Sequence, residues 1–237
     1  IFMTLIYSNS RCIISQCKAM ERDIKKMLFF HFSEFQVIEN PIIKDNLNIN
    51  LIKKIEDPWF NNQNIKVILF LGRLDKIKNI QTLIKAFNKL NIYFPETRLM
   101  ICGKGKEEKR LKKLVVDLDL EKYVSFKGFV KNNYEYFKSA DIVCMTSLAE
   151  GTGNSIVEAM RVGAKIVCSK MQGGPEGLLK NKYISFFDPG NPEDLFNTLS
   201  KTLYLPNYAP LIINDTKKYL VSYSSKKYLE CIAKYSI

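Results

Sequence analysis

The sequence SLAEGTGNSIVEAM, from Ser147 to Met160, decides the fold of this chain. It follows an apolar run at Asp141 to Met145 that is typical of a buried strand, and it passes through a glycine-containing loop into a helix predicted over Asn154 to Val162. A strand that leads through such a loop into a helix is the repeating unit of an α/β sheet. The amides that start the helix would face the crevice at the end of the sheet, where they can bind phosphate.

The chain from Val67 onward repeats this unit. Short apolar runs alternate with amphipathic stretches, which predicts an α/β fold with a doubly wound, Rossmann-like parallel sheet. Strands are predicted at Val67 to Leu71, Arg98 to Cys102, Tyr123 to Phe126, Asp141 to Met145, Lys165 to Cys168 and Ile184 to Phe187. Helices are predicted at Asn79 to Leu90, Glu107 to Leu118, Tyr134 to Ser139, Asn154 to Val162 and Pro192 to Leu203.

Residues before about Asn64 follow a different pattern. We predict a strand end at Cys12 to Ser15, a helix at Gln16 to Leu28 and a second strand at Gln36 to Glu39. The polar, asparagine-rich residues 44–64 are predicted to be a connector. At the other end of the chain, Ser224 to Tyr235 is predicted to be a helix, with Ser224 or Ser225 as its N-cap.

Composition restricts the class of protein more than it restricts the function. The net charge is +12, from 36 Lys and Arg against 24 Asp and Glu, which suits anionic partners such as nucleotides or an acidic membrane surface. The basic residues are scattered along the chain and many lie on helix faces with acidic neighbours, so nucleic-acid binding is not expected. No apolar stretch approaches the roughly 20 residues of a membrane span. Because residue 1 is Ile, we expect the chain to begin within a longer protein or to have been trimmed.

The cysteines and the single histidine point away from a metal site. The six cysteines include no CxxC pair, and three of them, Cys102, Cys144 and Cys168, lie in apolar runs, so we expect reduced thiols and a cytosolic compartment. His31 is the only histidine and has no cysteine partner close in sequence, so we expect a structural role for it.

Two predicted strands end in loops that carry glycine and basic residues. Gly72 can turn the chain sharply after the first strand, and Arg73 and Lys78 can then present two positive charges to a diphosphate. Gly103 and Gly105 follow the next strand and permit close approach of a ligand, although they fit an ordinary turn equally well. Taken alone, each of these segments is also compatible with a purely structural role.

Two further loops carry carboxylates or glycines. Glu150 and Glu158 are candidates for binding the vicinal hydroxyls of a sugar or ribose, while the alternative is that both are solvated acids near a helix start. The loop from Gln172 to Gly177 contains three glycines and either lies against a ligand or is a flexible connector.

Taken in order, these segments resemble a known family. The chain contains G-R-x4-K at Gly72 to Lys78, G-x-G at Gly103 to Gly105, VSFKGF at Val124 to Phe129, S-x2-E-G-x6-E-A-M at Ser147 to Met160 and GGPEG at Gly173 to Gly177. This set is similar to the C-terminal domain of the retaining GT-B glycosyltransferases of the glycogen-synthase and lipopolysaccharide-transferase kind, the group 1 glycosyltransferases. The resemblance covers about residues 67–203, and the ordered set is far more specific than any one motif.

The resemblance implies a division of the chain. Residues 1–43 would be the tail of an N-terminal acceptor domain with the crossover, and residues 44–64 a connector. Residues 65–210 would form the nucleotide-sugar-binding domain, and residues 211–237 a helix returning toward the N-terminal domain.

The resemblance also implies roles for individual residues. Arg73 and Lys78, after the turn at Gly72, would neutralise the donor diphosphate, Glu158 would hold the ribose diol and Glu150 the transferred sugar. Of these, Glu150, Arg73 and Lys78 would be the catalytic residues. The amides of Gly151, Thr152, Gly153 and Asn154 would contact sugar and phosphate, and Gly128, Phe129 and Val130 would lie beside the base. The family commonly has an aromatic residue or Pro in the loop that here reads Gly151 to Asn154, so the sugar preference stays open.

The implied reaction is transfer of a hexose or N-acetylhexosamine, with retention, from a nucleoside diphosphate sugar to a saccharide or lipid-linked acceptor. A UDP-sugar is favoured and a GDP-sugar is the second option, with no metal and no further cofactor. The setting would be polysaccharide or glycolipid synthesis in the cytoplasm, peripherally at an anionic inner membrane face. A non-catalytic donor-binding subunit and a nucleotide-sugar 2-epimerase are the alternatives.

Overall fold

The apolar runs pair side by side in a computed structural model that describes residues 7, 10–28, 33–173, 184–206 and 213–236. The strands are β1 Cys12–Ser15, β2 Glu34–Val37, β3 Lys66–Leu71, β4 Thr97–Cys102, β5 Val124–Gly128, β6 Ile142–Met145, β7 Ala149–Glu150, β8 Ile166–Ser169, β9 Gln172–Gly173 and β10 Ile184–Phe187. The helices are α1 Lys18–Met27, α2 Pro58–Asn61, α3 Ile80–Tyr93, α4 Glu108–Asp117, α5 Asn133–Ser139, α6 Asn154–Arg161, α7 Pro192–Leu203 and α8 Val221–Tyr235.

The main sheet confirms the predicted fold class. Its strands lie in the order β10-β8-β6-β3-β4-β5, and every neighbouring pair is parallel. The chain therefore starts in the middle of the sheet at β3, builds one side through β4 and β5, and then crosses to β6 and builds the other side. In such sheets, ligands bind outside the carboxyl ends of the strands where the order reverses, which here is between β3 and β6.

The sheet is covered on both faces. One hydrophobic cluster packs α3, α4 and α7 on one side, and a second packs α5 and α6 on the other. Because β3 lies between two layers, Val67 to Leu71 are all buried, which explains the unbroken apolar run. On α3, the predicted apolar face is buried in full, and Phe87 is completely inaccessible. Burial of a side chain of this size contributes roughly 1.5–3 kcal/mol, so these layers fix the strand ends that carry the site.

Helix α8 begins earlier than predicted. Its first residue is Val221, so the prediction of Ser224 or Ser225 as N-cap was wrong, and Ser224 lies buried inside the helix. The helix start is instead capped from a distant part of the chain, because the Asp45 carboxylate accepts a hydrogen bond of 3.0 Å from the Ser222 amide. The hydrogen bonds from Ser222 lower the pKa of Asp45, which keeps this cap negatively charged at the positive end of the helix.

The predicted connector is more ordered than its polar composition indicates. It contains a short 3-10 turn at Ile49–Leu51 and the helix α2, which Asp57 caps by accepting from the Trp59 amide at 2.9 Å. Two of its carbonyls accept from Lys138 at 2.8 Å, and Asp57 pairs with Lys127 at 2.7 Å. These contacts hold the connector against the sheet.

The N-terminal residues form a separate parallel pair, β1 with β2. The strand β2 begins and ends two residues before the predicted strand. Helix α8 contacts this pair, with Lys234 bound to Glu34 at 2.9 Å and the Cys12 and Cys231 sulfurs 3.7 Å apart. The proposed division of the chain into domains stays a prediction, and the expected role of His31 lies outside the described residues.

Candidate functional site

The loops that follow β3 and β4 are hydrogen-bonded to each other. The Leu74 amide donates to the Lys104 carbonyl at 3.0 Å, and the Glu107 amide donates to the Leu74 carbonyl at 2.9 Å. A Cβ at Gly103 would lie 1.8 Å from the Gly72 carbonyl oxygen, and one at Gly105 would lie 2.2 Å from that of Leu74. The two glycines are therefore explained by close approach of backbone to backbone, which corresponds to the turn interpretation of this segment.

Lys78 reaches the crevice from a short 3-10 turn at Lys76–Lys78. Asp75 begins this turn by accepting from the Lys78 amide at 3.3 Å, and Asn79 ends it in the left-handed region with φ 48°. The Thr146 hydroxyl, just after β6, donates to the Lys78 carbonyl at 2.7 Å. This bond ties the loop after β3 to the loop after β6 at the point where the strand order reverses.

Glu150 is the partner of Lys78 in this crevice. The two side chains form an ion pair, in which Glu150 is 22% exposed and Lys78 is 19% exposed. The Ser147 hydroxyl donates to the same Oε1 oxygen of Glu150 at 2.7 Å. Among the described residues the other oxygen, Oε2, has no hydrogen-bond partner, so it can accept from a ligand hydroxyl. Glu150 itself sits in β7, which pairs with β9, rather than in an irregular loop.

Helix α6 starts at the floor of the same crevice. Its N-cap, Gly153, adopts φ 64°, and no side chain of the described residues caps the helix. A cavity of about 260 Å³ opens here, lined by Lys78, Glu150 and the residues from Gly151 to Ile156, with Phe70, Leu71 and Met145 behind them. Uncapped amides at a helix start, together with one lysine, make a site for phosphate, and the adjacent carboxylate can accept from hydroxyls.

Glu158 lies one helical turn further along α6, on the same face as Asn154. It is half-buried and outside the lining of this cavity. Its Oε2 accepts from Asn133 Nδ2 at 3.2 Å, and burial raises the pKa of the carboxyl above its usual value despite that bond.

Gly128, Phe129 and Val130 also lie outside the cavity lining. Gly128 has φ 69°, and its carbonyl accepts from the Gly103 amide at 2.6 Å. Phe129 is 72% exposed, while Val130 packs against the second hydrophobic cluster. An exposed ring at this edge of the sheet presents a free apolar face for stacking.

Arg73 is not brought into the cavity with Lys78. Its side chain is 81% exposed and contacts Asp75 at 3.4 Å, and it does not line the cavity. Gly72, next to it, donates its amide to the Cys102 carbonyl at 3.0 Å and takes part in the contact between the two loops. The remaining predicted glycine loop, from Gly174 to Gly177, lies outside the described residues.

Three contacts at the site were not anticipated. Ser147 binds Glu150, and the spacing S-x2-E was visible in the sequence without its role being assigned. Asn40 Nδ2 donates to Thr152 Oγ1 at 3.4 Å, and Cys17 Sγ donates to the Gly151 carbonyl at 3.3 Å. These two bonds join segments more than 100 residues apart, and no local pattern signals them.

The described ranges contain neither a candidate metal cluster nor a candidate membrane span. No group of three or more His, Cys, Asp or Glu side chains there could hold a metal ion. Similarly, no helix in the part of the chain that the structure covers is long and apolar enough to cross a bilayer.

Solved structures share this fold. Alr3699/HepE from Anabaena, crystallised in complex with UDP, is 22% identical with a TM-score of 0.79 over 97% of this chain and 65% of that one. A glycosyltransferase from Rickettsia africae is 16% identical with a TM-score of 0.83, covering 98% of this chain and 66% of that one. At this level of identity the likeness establishes the fold, which is the GT-B fold expected from the sequence.

The sequence comparisons establish the family. A Campylobacter jejuni enzyme, N-acetylgalactosamine-N,N'-diacetylbacillosaminyl-diphospho-undecaprenol 4-alpha-N-acetylgalactosaminyltransferase, is 26% identical over 85% of this chain and 53% of its own length. An uncharacterized glycosyltransferase of Haemophilus influenzae is 31% identical over 65% of this chain and 41% of its own length. The chain thus spans about half the length of these relatives. The family model described as "Glycosyl transferases group 1" matches residues 52–219, and the chain therefore belongs to the group 1 glycosyltransferases.

Proposed function

We propose that this chain is the donor-binding half of a retaining glycosyltransferase that uses a nucleoside diphosphate sugar. The observation that carries the proposal is the Lys78–Glu150 pair beside the uncapped start of α6, in a cavity at the reversal point of the sheet. A cation, free amides and a carboxylate with one unused oxygen are the groups that a sugar diphosphate requires.

The donor would lie across the carboxyl ends of the strands. Lys78 and the amides of Gly151 to Asn154 bind the diphosphate, and Glu150 accepts from hydroxyls of the transferred sugar. Arg73, whose side chain is free to move, turns from Asp75 toward the phosphates. As the bond to the sugar breaks, negative charge grows on the departing diphosphate, and the fixed positive groups stabilise it.

The nucleoside would occupy the other end of the crevice. Glu158 accepts from both hydroxyls of the ribose, whose vicinal arrangement fits the two oxygens of one carboxylate. Phe129 and the backbone of Gly128 and Val130 lie against the base.

UDP is the favoured nucleotide. Alr3699/HepE was crystallised with UDP, and so was the pneumococcal O-GlcNAc transferase GtfA, together with GlcNAc. We therefore infer a UDP-hexose or UDP-N-acetylhexosamine as donor, with a GDP-sugar as the second option and no metal. Saccharide or lipid-linked acceptors are inferred because relatives are named for diphospho-undecaprenol and diacylglycerol substrates. The net charge of +12 suits peripheral association with an anionic cytoplasmic membrane face.

Calorimetry with UDP, GDP and their sugars at low ionic strength tests the donor site. We expect UDP and at least one UDP-sugar to bind more tightly than the GDP compounds, and failure of every nucleotide to bind would overturn the proposal. Incubation of the bound UDP-sugar with lipid-linked acceptors, followed by NMR of the anomeric centre, then tests transfer with retention. A rearranged nucleotide sugar formed without acceptor would show the epimerase alternative instead.

A further inference from the structure

A second cavity lies on the other side of the loop that bounds the donor cavity. Its volume is about 250 Å³, and its walls come from the start of α1, the residues after β2 and the segment just before and within α8. Four of the ten lining residues are charged, Lys18, Lys218 and Lys227 against Glu39, so three lysines and one glutamate leave a net charge of +2. The proposed donor chemistry makes no use of this cavity.

Most of that positive charge is uncompensated. Lys218 pairs with Glu39 at 3.3 Å. Lys18 and Lys227 have no carboxylate partner among the described residues, although Lys227 lies 4.9 Å from the Tyr223 ring centroid. Two such lysines facing one concave surface repel each other, and an anion bound between them removes that repulsion.

The two cavities share a wall. Thr152 lines both of them, and Asn40 donates to its hydroxyl at 3.4 Å from the side of the second cavity. Cys17, also in the second cavity, donates to the Gly151 carbonyl at 3.3 Å. A ligand in the second cavity and a ligand beside Glu150 would therefore both border Thr152.

We propose that the second cavity binds the phosphate or diphosphate group of the acceptor, and that this group lies within one sugar residue of the hydroxyl that is glycosylated. The inference rests on the proposed transferase function. A phosphomonoester or diphosphate carries about two negative charges near neutral pH, which matches the net charge of the lining. A neutral saccharide would leave the lysines unpaired. The same chemistry occurs in free sugar phosphates and in lipid diphosphates, and either source fits the cavity.

Titration with inorganic pyrophosphate in the presence of saturating UDP tests the site. The double variant Lys18→Gln/Lys227→Gln removes the two unpaired charges. The matched control Lys26→Gln/Lys226→Gln removes one exposed lysine from each of the same two helices, α1 and α8, outside the cavity. We expect pyrophosphate affinity to fall about 10- to 100-fold in the cavity variant, as for loss of two charge-assisted contacts, and less than 2-fold in the control. Equal losses in both variants, or no binding of pyrophosphate to the parent chain, would overturn the proposal.

Two further ligands identify the source of the phosphate. A hexose 1-phosphate and a polyprenyl diphosphate in detergent micelles are titrated in the same way, and the one whose binding depends on Lys18 and Lys227 is the physiological type. UDP affinity, measured separately, must be unchanged in the cavity variant. If UDP fails to bind while pyrophosphate binding still depends on the two lysines, the donor proposal is wrong and the anion-binding cavity is supported. If UDP binds but pyrophosphate binding does not depend on the two lysines, only the proposal for the second cavity is wrong.

Discussion

The two ends of the crevice hold their carboxylates differently. At the proposed sugar end, Glu150 is already bound by a cation, Lys78, and by a hydroxyl, that of Ser147. At the proposed nucleoside end, Glu158 has one neutral donor, Asn133, and burial raises the pKa of its carboxyl. One carboxylate is electrostatically compensated before any ligand arrives, and the other is desolvated with no counter-charge from the described residues.

This difference indicates how the free energy of binding is distributed. Binding of a diphosphate at the sugar end must draw Lys78 partly away from Glu150, so it exchanges one charged partner for another. In the proposed complex, ribose at the other end would add hydrogen bonds to a carboxylate that has only one neutral donor, which recovers part of the desolvation cost. On the proposed assignment, we therefore expect the sugar end to contribute position and charge, and the nucleoside end to offset the cost of burying the Glu158 carboxylate.

Removal of the cation at the sugar end should have the largest effect. In Lys78→Ala the diphosphate loses its fixed positive partner, and the Glu150 carboxylate is left with the Ser147 hydroxyl but without its cation. We expect UDP to bind about 30- to 100-fold more weakly, or about 2–3 kcal/mol, measured by calorimetry. Lys76→Ala, which removes an exposed lysine from the same turn, serves as the control and should stay within 2-fold. Equal losses of UDP affinity in the two variants would mean that the overall positive charge of the protein, and not the Lys78–Glu150 pair, binds the nucleotide.

Neutralisation of Glu158 should weaken binding and stabilise the free protein at the same time. In Glu158→Gln the ribose loses a charged acceptor, and we expect about 10-fold weaker binding of UDP, or about 1.4 kcal/mol. Because the folded-state pKa of Glu158 lies above its unfolded value, ionisation of this group destabilises the folded state as pH rises through the folded pKa. The variant should therefore be more stable near pH 7, by on the order of 1 kcal/mol, and this gain should shrink as the pH falls through the folded-state pKa and disappear below the unfolded-state pKa.

Thermal unfolding of the parent and of Glu158→Gln at pH 7 and at pH 4 measures how their difference in stability depends on pH. The exposed acid Glu121 provides the matched control, since Glu121→Gln should change neither the melting temperature nor UDP affinity. A Glu158→Gln variant that is less stable than the parent at pH 7 would show that the two ends are not as different as proposed.

The smallest effect is expected for Arg73. Its side chain is 81% exposed and its ion pair with Asp75 measures 3.4 Å, so Arg73→Ala should leave stability unchanged within about 0.5 kcal/mol. UDP affinity should fall about 3- to 10-fold, because the long side chain must be ordered to reach the phosphates. A loss as large as that of Lys78→Ala would place both basic residues at the sugar end of the bound nucleotide.

The fold could be predicted largely because its signals are local. Buried central strands require unbroken apolar runs, and the covering helices require apolar residues at helical spacing, so β3 and α3 were visible directly. The main sheet brings Lys78 and Glu150 together because both follow strands that flank the reversal point, which follows from topology once the strand order is known.

What could not be predicted depends on long-range contacts. Ser224 and Ser225 look like N-caps, but Asp45, far away in sequence, caps α8 and lets it begin at Val221. The bond between Asn40 and Thr152 and the exposed position of Arg73 likewise depend on how distant segments pack. Motif spacing fixes which residues follow a strand, but not the direction in which a long side chain points.

The hydrogen bonds between the loops after β3 and β4 also limit how these loops can change length. Since Leu74 is bonded to Lys104 and Glu107, and Gly103 leaves no room for a side chain beside Gly72, an insertion in one loop would require a matching change in the other. The loop after β5 has an exposed tip at Phe129, and among the described residues one backbone bond, from the Gly103 amide to the Gly128 carbonyl, joins its start to the loop after β4. Attempts to alter nucleotide preference by grafting longer loops should therefore begin after β5, where added length does not disturb the position of Lys78.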